Sequence, residues 1–392
     1  MKLLFIKIGK AWGALRREGL VHGGRRILRA FLAQFRRVEP GDILFIASGV
    51  GDSARYRTTH VAEELTLHGF KTAVTIPDNP FLPTYTDKFQ VFVFHRVLEV
   101  PAIQKFITGL KEGNKTIIFE TDDLVFDPKY LFHMKYFQDL NLLEKELYKN
   151  GVGGGLFNDP YVAVATTTTS FLAEKLREKK HVIIVPNRLS QHDVAVAEKL
   201  VHTGRPGDGL IRLAYFSGSP THSEDFATIV PVLTSLLSTH PQTRLMIVGM
   251  LELGEEFESV KSQIERLPFA SRSQHFANIA RADINLAPLV IGDPYPESKS
   301  ELKFFEAGIV GVPTVAAATQ TFREAITDGT DGFVAATTEE WTEKLNRLIT
   351  DSELRVRLGQ AARETALEKY TNANARNETY YAYLRSVLKE KR

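Results

Sequence analysis

From residue 41 onward the chain alternates short, nearly all-apolar runs with longer amphipathic stretches. The runs fall at residues 43–47, 71–76, 90–94, 116–119, 162–165 and 182–185, then at 213–216, 244–248, 284–287, 313–316 and 332–335. Stretches with helical spacing lie between them, such as 58–68, 102–111 and 130–149. A strand that is apolar on both sides is buried on both faces, which is the mark of a parallel sheet covered by helices. The expected fold class is therefore α/β, with two Rossmann-like, doubly wound parallel-sheet domains facing a cleft, preceded by a basic amphipathic helical segment.

The alternation breaks once. Residues 186–209 are polar, rich in Gly and Pro, and end in His202-Thr-Gly-Arg-Pro-Gly-Asp-Gly209, which reads as a hinge or linker. The expected organisation is a basic segment over 1–40, a Rossmann-like domain over 41–190, a linker over 191–209, a second Rossmann-like domain over 210–370, and a C-terminal helix over 371–392 that crosses back to the first domain. A length of 392 residues suits two or three domains of about 150 residues each. The chain has no cysteine, which excludes disulfides, thiolate nucleophiles and zinc–thiolate sites, and fits a reducing cytoplasm.

Charge is unevenly spread. Residues 1–37 hold ten Lys or Arg and one acid, Glu18, for a net 10 − 1 = +9; the remainder is 39 − 46 = −7. Trp12, Leu15, Leu20, Ile27, Leu28, Phe31, Leu32 and Phe35 thread through the positive charge at roughly helical spacing. Two short amphipathic helices lying on an anionic membrane surface are one reading; a helical hairpin packed on the protein is the other. No apolar run approaches the roughly 20 residues that span a bilayer, and residues 3–6 are too short for a signal-peptide core. The expected location is cytoplasmic, peripheral on the inner face of the membrane. The acidic body does not suit nucleic acid.

In open α/β sheets, ligands bind beyond the carboxyl ends of the strands. The most informative such stretch runs from Pro288 to Ala317. Ser298 and Glu301 have the spacing of a capping box, with Ser300 a rival cap, for a helix reaching about Ile309. A helix entered at a strand's carboxyl end offers free N–H groups to an anion, and Lys299 and Lys303 add formal charge there. A diphosphate fits such a site. Glu306, further along the helix, can accept two hydrogen bonds from a ribose diol. Elsewhere, Gly49-Val-Gly51-Asp-Ser-Ala54 matches a weak dinucleotide-binding pattern, G-x-G-x-x-A. It also serves as a turn that admits substrate, with Arg55 and Arg57 facing an anionic acceptor. His95 and Arg96 end an apolar strand abruptly. Asp122 and Asp123 orient an acceptor hydroxyl or accept N–H bonds within their turn.

Several segments together resemble the retaining GT-B glycosyltransferases of family 4, in their bacterial polysaccharide-type branch. Glu306-Ala-Gly-Ile-Val-Gly-Val-Pro-Thr-Val resembles the family's E-A-x-A-x-G-x-P-V-V segment. Arg55-Tyr-Arg57, Phe119-Glu-Thr-Asp122-Asp123-Leu, Val185-Pro186-Asn187, Phe216-Ser217-Gly218 and Asp283-Ile-Asn-Leu-Ala-Pro288-Leu follow in the family's order. The resemblance covers about residues 41–375. It implies transfer of a sugar, a hexose or deoxyhexose, from a nucleoside diphosphate donor to a hydroxyl of a glycan or lipid-linked acceptor, with retention, in polysaccharide or glycoconjugate synthesis. The nucleotide-sugar is a co-substrate, and no cofactor or essential metal is expected. The resemblance implies Gly218, Ser219, His222, Ser298, Lys299, Ser300, Lys303 and Glu306 at the donor. It implies His95, Asp122 and Asp123 at the reacting centre, His95 near the anomeric carbon. Gly51, Arg55, Arg57 and Arg96 face the acceptor.

Two departures stand out. The family usually carries a second glutamate eight residues before Glu306, where this chain has Ser298, flanked by Glu297 and Glu301. The usual Arg/Lys pair after the first strand of the second domain is not evident. A non-catalytic nucleotide- or glycan-binding subunit and a sugar-nucleotide epimerase are the alternatives.

Overall fold

The computed structural model describes residues 9, 23–25, 27–28, 30–49, 51–131, 135–138, 141–201, 207–218 and 223–390. The chain forms two units. One comprises Met1–Arg188 with Arg376–Arg392, the other Leu189–Ala375.

The first unit is built on six parallel strands, β1 (Ile43–Ala47), β2 (Thr72–Thr75), β3 (Val91–His95), β4 (Thr116–Glu120), β5 (Val164–Thr167) and β6 (His181–Ile184), in the order β2-β1-β3-β4-β5-β6. Alternate side chains of each strand enter different cores. Leu44, Ile46, Phe92, Phe94, Ile117 and Phe119 pack on one face. Ile43, Phe45, Val91, Val93 and Ile118 pack on the other. This double burial is why the runs are apolar throughout. The helix Glu378–Lys389 adds Tyr380, Tyr381 and Leu384 to the second core. Tyr381 donates to the buried Glu64 at 2.7 Å, and Arg188, the last residue of the unit's first segment, donates to the same carboxylate at 2.9 Å.

The second unit repeats the plan with β7 (Ile211–Ser217), β8 (Thr243–Gly249), β9 (Ile264–Leu267), β10 (Ile284–Ala287), β11 (Thr314–Ala317) and β12 (Phe333–Ala335), all parallel, in the order β12-β11-β10-β7-β8-β9. β9 has no counterpart among the apolar runs of the sequence. It is an edge strand, Ile-Glu-Arg-Leu, only partly buried, so its polar residues need no burial. The helix Leu302–Gly308 lies against the helix Ser352–Lys369 at glycine distance. A Cβ on Gly308 would meet the Ala362 carbonyl at 2.7 Å, and one on Gly359 the Gly311 carbonyl at 2.2 Å. Part of the Glu306–Gly311 motif thus serves close packing.

The interval expected to be a structureless linker requires correction. Residues Gln191–Val201 form a helix. Ser190 Oγ accepts from Asp193 N at 3.1 Å and Asp193 Oδ2 from Ser190 N at 3.4 Å, a reciprocal cap that the polar Ser-Gln-His-Asp sequence disguises as loop. Within the basic N-terminal segment, residues 23–25, 27–28 and 30–34 are helical; its other residues up to 29 lie outside those described, apart from residue 9.

Candidate functional site

Each sheet reverses its strand order once, between β1 and β3 in the first unit and between β7 and β10 in the second. Such a switch point leaves a crevice at the carboxyl ends of the two strands. A polar cluster stands at each.

In the first unit, His95 closes β3 and is wholly buried. Its Nε2 lies 3.2 Å from Asp122 Oδ1 and 3.3 Å from Ser53 Oγ, on the short helix Asp52–Ala54 that follows β1. Ser53 donates to Asp122 Oδ2 at 2.7 Å. Arg96 pairs through Nε with Asp122 at 2.6 Å and through Nη2 with Asp123 at 2.8 Å. Burial alone raises the Asp122 pKa, but Arg96, and then His95 and Ser53, outweigh it and hold the carboxyl well below its usual range. Arg96 adopts φ +48°, a left-handed conformation that bulky residues rarely take. His95 Nδ1 is buried with no hydrogen-bond partner among the described residues.

Thus His95, Arg96, Asp122 and Asp123 come together, and Ser53 joins them. A single hydroxyl in a glycine turn gives no sequence signal of that role. Asp123 also accepts from Leu124 N at 2.9 Å, the turn-capping reading.

The structure moves Arg57 elsewhere. It is buried, donates to both oxygens of Glu120 at 2.8 and 3.1 Å, and its Nη1 reaches Val185 O at 2.7 Å and Asn187 Oδ1 at 3.0 Å. Facing an acceptor is therefore corrected to an internal strut, because a guanidinium so saturated has little donor capacity left. Arg55 pairs with the exposed Asp52 at 2.5 Å. Gly51 precedes the short helix Asp52–Ala54.

In the second unit, Lys303 and Glu306 lie on the helix Leu302–Gly308, which follows β10. Asn285 of β10 donates to Lys303 O at 3.0 Å and to Thr314 Oγ1 at 3.1 Å, seating that helix on the sheet. Lys303 Nζ donates to Phe216 O, near the end of β7, at 2.5 Å and lies 4.6 Å from the Tyr215 ring centre. Burial pushes the Lys303 pKa down to about 8, with Asp225 and Glu306 opposing that fall.

Glu306 is buried. It accepts from Arg272 Nη1 on one oxygen and faces His275 Nε2 at 3.0 Å on the other. Arg272 also donates to both oxygens of Asp193, at 3.0 and 3.1 Å. Sequence reasoning missed Arg272 and His275 because they follow β9, the strand that the apolar pattern does not reveal.

The Ser298–Glu301 capping box does not form. Asp293, Pro294 and Pro296 start an earlier short helix, Pro294–Glu297, and Ser298 is its buried C-cap, its Oγ donating to Tyr295 O at 2.6 Å. Glu301 occupies the next N-cap without a side-chain capping bond. Lys299 Nζ sits 3.7 Å from the Tyr295 ring centre, and Ser300 is half-buried beside it. Glu297 accepts from Gly292 N and Gln320 N, each at 3.1 Å. Gly218 follows β7 and is exposed; Ser219 and His222 lie outside the described residues. Among the described residues no three or more His, Asp or Glu side chains are grouped to hold a metal ion.

Two doubly wound six-stranded parallel sheets, each flanked by helices, define the GT-B glycosyltransferase fold. Residues 231–379 match the family described as "Glycosyl transferase-like". Similar solved structures include sucrose-phosphate synthase from Thermosynechococcus elongatus, at 13% identity and a TM-score of 0.59, covering 89% of this chain and 100% of that one. Anabaena HepE in complex with UDP-glucose gives 13% and 0.57, covering 88% and 100%. A glycosyltransferase from Rickettsia africae gives 13% and 0.59, covering 90% and 100%. No curated protein matches the chain in sequence.

Proposed function

We propose that this protein is a retaining glycosyltransferase of the family 4 type. It would move a sugar from a nucleoside diphosphate donor to a hydroxyl of a glycan or lipid-linked acceptor in cell-surface polysaccharide or glycoconjugate synthesis. The observation that carries this reading is that Lys303 and Glu306 share the helix that follows β10, with Lys303 Nζ bound to Phe216 O near the end of β7, beside the switch point of the second sheet. The binding of UDP-glucose by HepE, which shares the fold, supports a nucleotide-sugar as the ligand class.

A carboxylate offers about four acceptor positions. Arg272 and His275 each engage one Glu306 oxygen and so fix the carboxylate in the orientation in which it would accept from a ribose diol. As the bond from the anomeric carbon to the diphosphate breaks, negative charge grows on the leaving oxygen. Lys303, held in a partly desolvated setting, stabilises that charge more strongly than a solvated lysine would. The acceptor oxygen bonds to the anomeric carbon, and its proton passes to the departing diphosphate. No step is assigned to a metal ion. In the first unit, the His95–Asp122–Ser53 cluster orients the reacting sugar or the acceptor hydroxyl.

One observation favours a second reading, a non-catalytic binding subunit. Ser298, at the position of the family's first glutamate, is buried and its hydroxyl is bound to a backbone carbonyl. The test is a screen of UDP-, GDP- and dTDP-sugars for nucleoside diphosphate release with glycan and lipid acceptors. Turnover with one donor, reduced about a hundredfold in Glu306→Ala, is expected, since hydrogen bonds to a charged group contribute roughly 1.5–3 kcal/mol each. Nucleotide binding without turnover on any donor identifies the binding subunit.

A further inference from the structure

Four of the nine exposed large hydrophobic residues among those described lie within eight positions. They are Leu28 (55% exposed), Phe31 (55%), Leu32 (58%) and Phe35 (53%). Their spacing of three, four and seven places them on one stripe, roughly 100° wide, of the helical stretch and its last turn. The Phe31 and Phe35 rings touch edge to face, with centroids 5.3 Å apart. A different side of the same turn-forming segment faces the protein. Ala33 packs against Ala47, Ala54 and Ile76. Just beyond, Asn79 Nδ2 donates to Arg36 O at 2.8 Å, Val38 N donates to Tyr85 Oη at 3.3 Å, and the Arg37 guanidinium lies 4.5 Å from the Phe81 ring centre. The segment is fastened to the first unit by one side and holds an apolar stripe in solvent on another.

We propose that this stripe is a docking surface for an anionic lipid bilayer. Single exposed apolar side chains are ordinary; four contiguous ones mark an interaction surface. Charge selects the occupant. Arg25, Arg36 and Arg37 of the same segment are exposed, and residues 1–37 carry +9 in all. A second copy of this chain would bring +9 against +9, whereas anionic headgroups are complementary. Seven helical steps extend about 10 Å, enough to lie in the interface with apolar groups below and arginines at the headgroups, and far short of the roughly 30 Å hydrocarbon core. Among the described residues no helix is long and apolar enough to cross a membrane.

The inference is independent of the glycosyl-transfer reading, because vesicle binding is measured with no donor or acceptor present. The full chain is floated with vesicles of phosphatidylcholine plus phosphatidylglycerol, and of phosphatidylcholine alone. Binding is expected to the first only, weakening as salt is raised. Phe31→Ser/Phe35→Ser and Arg25→Glu/Arg36→Glu are each expected to weaken it at least tenfold. The replaced side chains are exposed, so both variants should melt like the wild type. Three results overturn the proposal: no flotation of the wild type with anionic vesicles, flotation of both variants equal to wild type, or a lipid-free wild-type dimer that Phe31→Ser/Phe35→Ser converts to monomer.

Discussion

Glu306 is not an isolated carboxylate awaiting a ribose: Arg272 donates to one of its oxygens and, through the same guanidinium, binds both oxygens of Asp193. Asp193 lies on the helix Gln191–Val201 and Arg272 on Arg272–Ala280, so one side chain joins two helices to the candidate site. Removing one partner of a buried pair strands the others at a cost of about 3–5 kcal/mol. Arg272→Ala should therefore lower stability by that amount in urea unfolding at pH 7. Asp193→Asn keeps an acceptor and leaves Arg272 on Glu306, so its loss should be closer to about 1 kcal/mol. Equal, small losses for both would show that Arg272 does not hold the three groups together.

Lys303 makes two pH predictions of opposite sign. Its pKa is lowered to about 8 by burial, against about 10.4 for an unfolded lysine. Between those values the unfolded chain binds the extra proton, so this group's contribution to stability rises with pH across that window and is least favourable below it. Nucleoside diphosphate binding should do the reverse, weakening as pH passes about 8 and the ammonium is lost. Denaturant unfolding at stepped pH checks the first, and isothermal titration of the nucleotide from pH 6.5 to 9.5 checks the second, with Lys303→Met as the flat control in each. A wild-type affinity that is unchanged across the range would remove Lys303 from the anion site.

What could be read from residues alone, and what could not, follows from burial. Leu44 and Phe45 point to opposite faces and both are buried, so β1 is apolar throughout and visible as a run. Edge strand β9 is not, and the pair it leads to, Arg272 and His275, stayed hidden with it. Lys303 and Glu306 stand out in the sequence because they lie on the stretch that joins two apolar strands, β10 and β11. The start of their helix was misplaced because Pro294 and Pro296 favour an earlier turn that uses up Ser298. Ser190 and Asp193 have capping spacing, yet the polar residues around them outweighed it. Arg57 misled in the simplest way: an arginine reads as surface, and Glu120 and Val185, which enclose it, are distant in sequence.

Asp122 receives Ser53, His95 and Arg96 together, and its depressed pKa keeps it ionised at neutral pH. It should act by positioning His95 rather than by taking a proton. Its contribution to stability is present above the unfolded value of about 3.9 and is lost as pH falls through the lower folded value. The stability gap between wild type and Asp122→Asn should thus be constant above about pH 5 and close in acid, as read by denaturant unfolding at stepped pH. Turnover in the variant should fall about a hundredfold with little change in donor KM, the pattern of a lost orienting contact. A pH-rate limb near neutrality that the wild type shows and Asp122→Asn lacks would instead make Asp122 a titrating group in the reaction.

Arg57 separates a structural strut from an acceptor contact. Four hydrogen bonds fix its guanidinium to Glu120, Val185 and Asn187 inside the first unit. Burial pulls its pKa down, but Glu120 more than offsets this, so the charge is permanent. Arg57→Ala leaves Glu120 buried and uncompensated, and should destabilise the protein by about 3–5 kcal/mol. Adding Glu120→Gln should recover part of that loss, because the double variant no longer buries a lone carboxylate. If Arg57 bound the acceptor, the double variant would regain stability while its acceptor KM stayed high. The saturated geometry predicts that acceptor KM in the refolded double variant stays within about twofold of wild type, since no N–H of the strut is needed beyond those already bound.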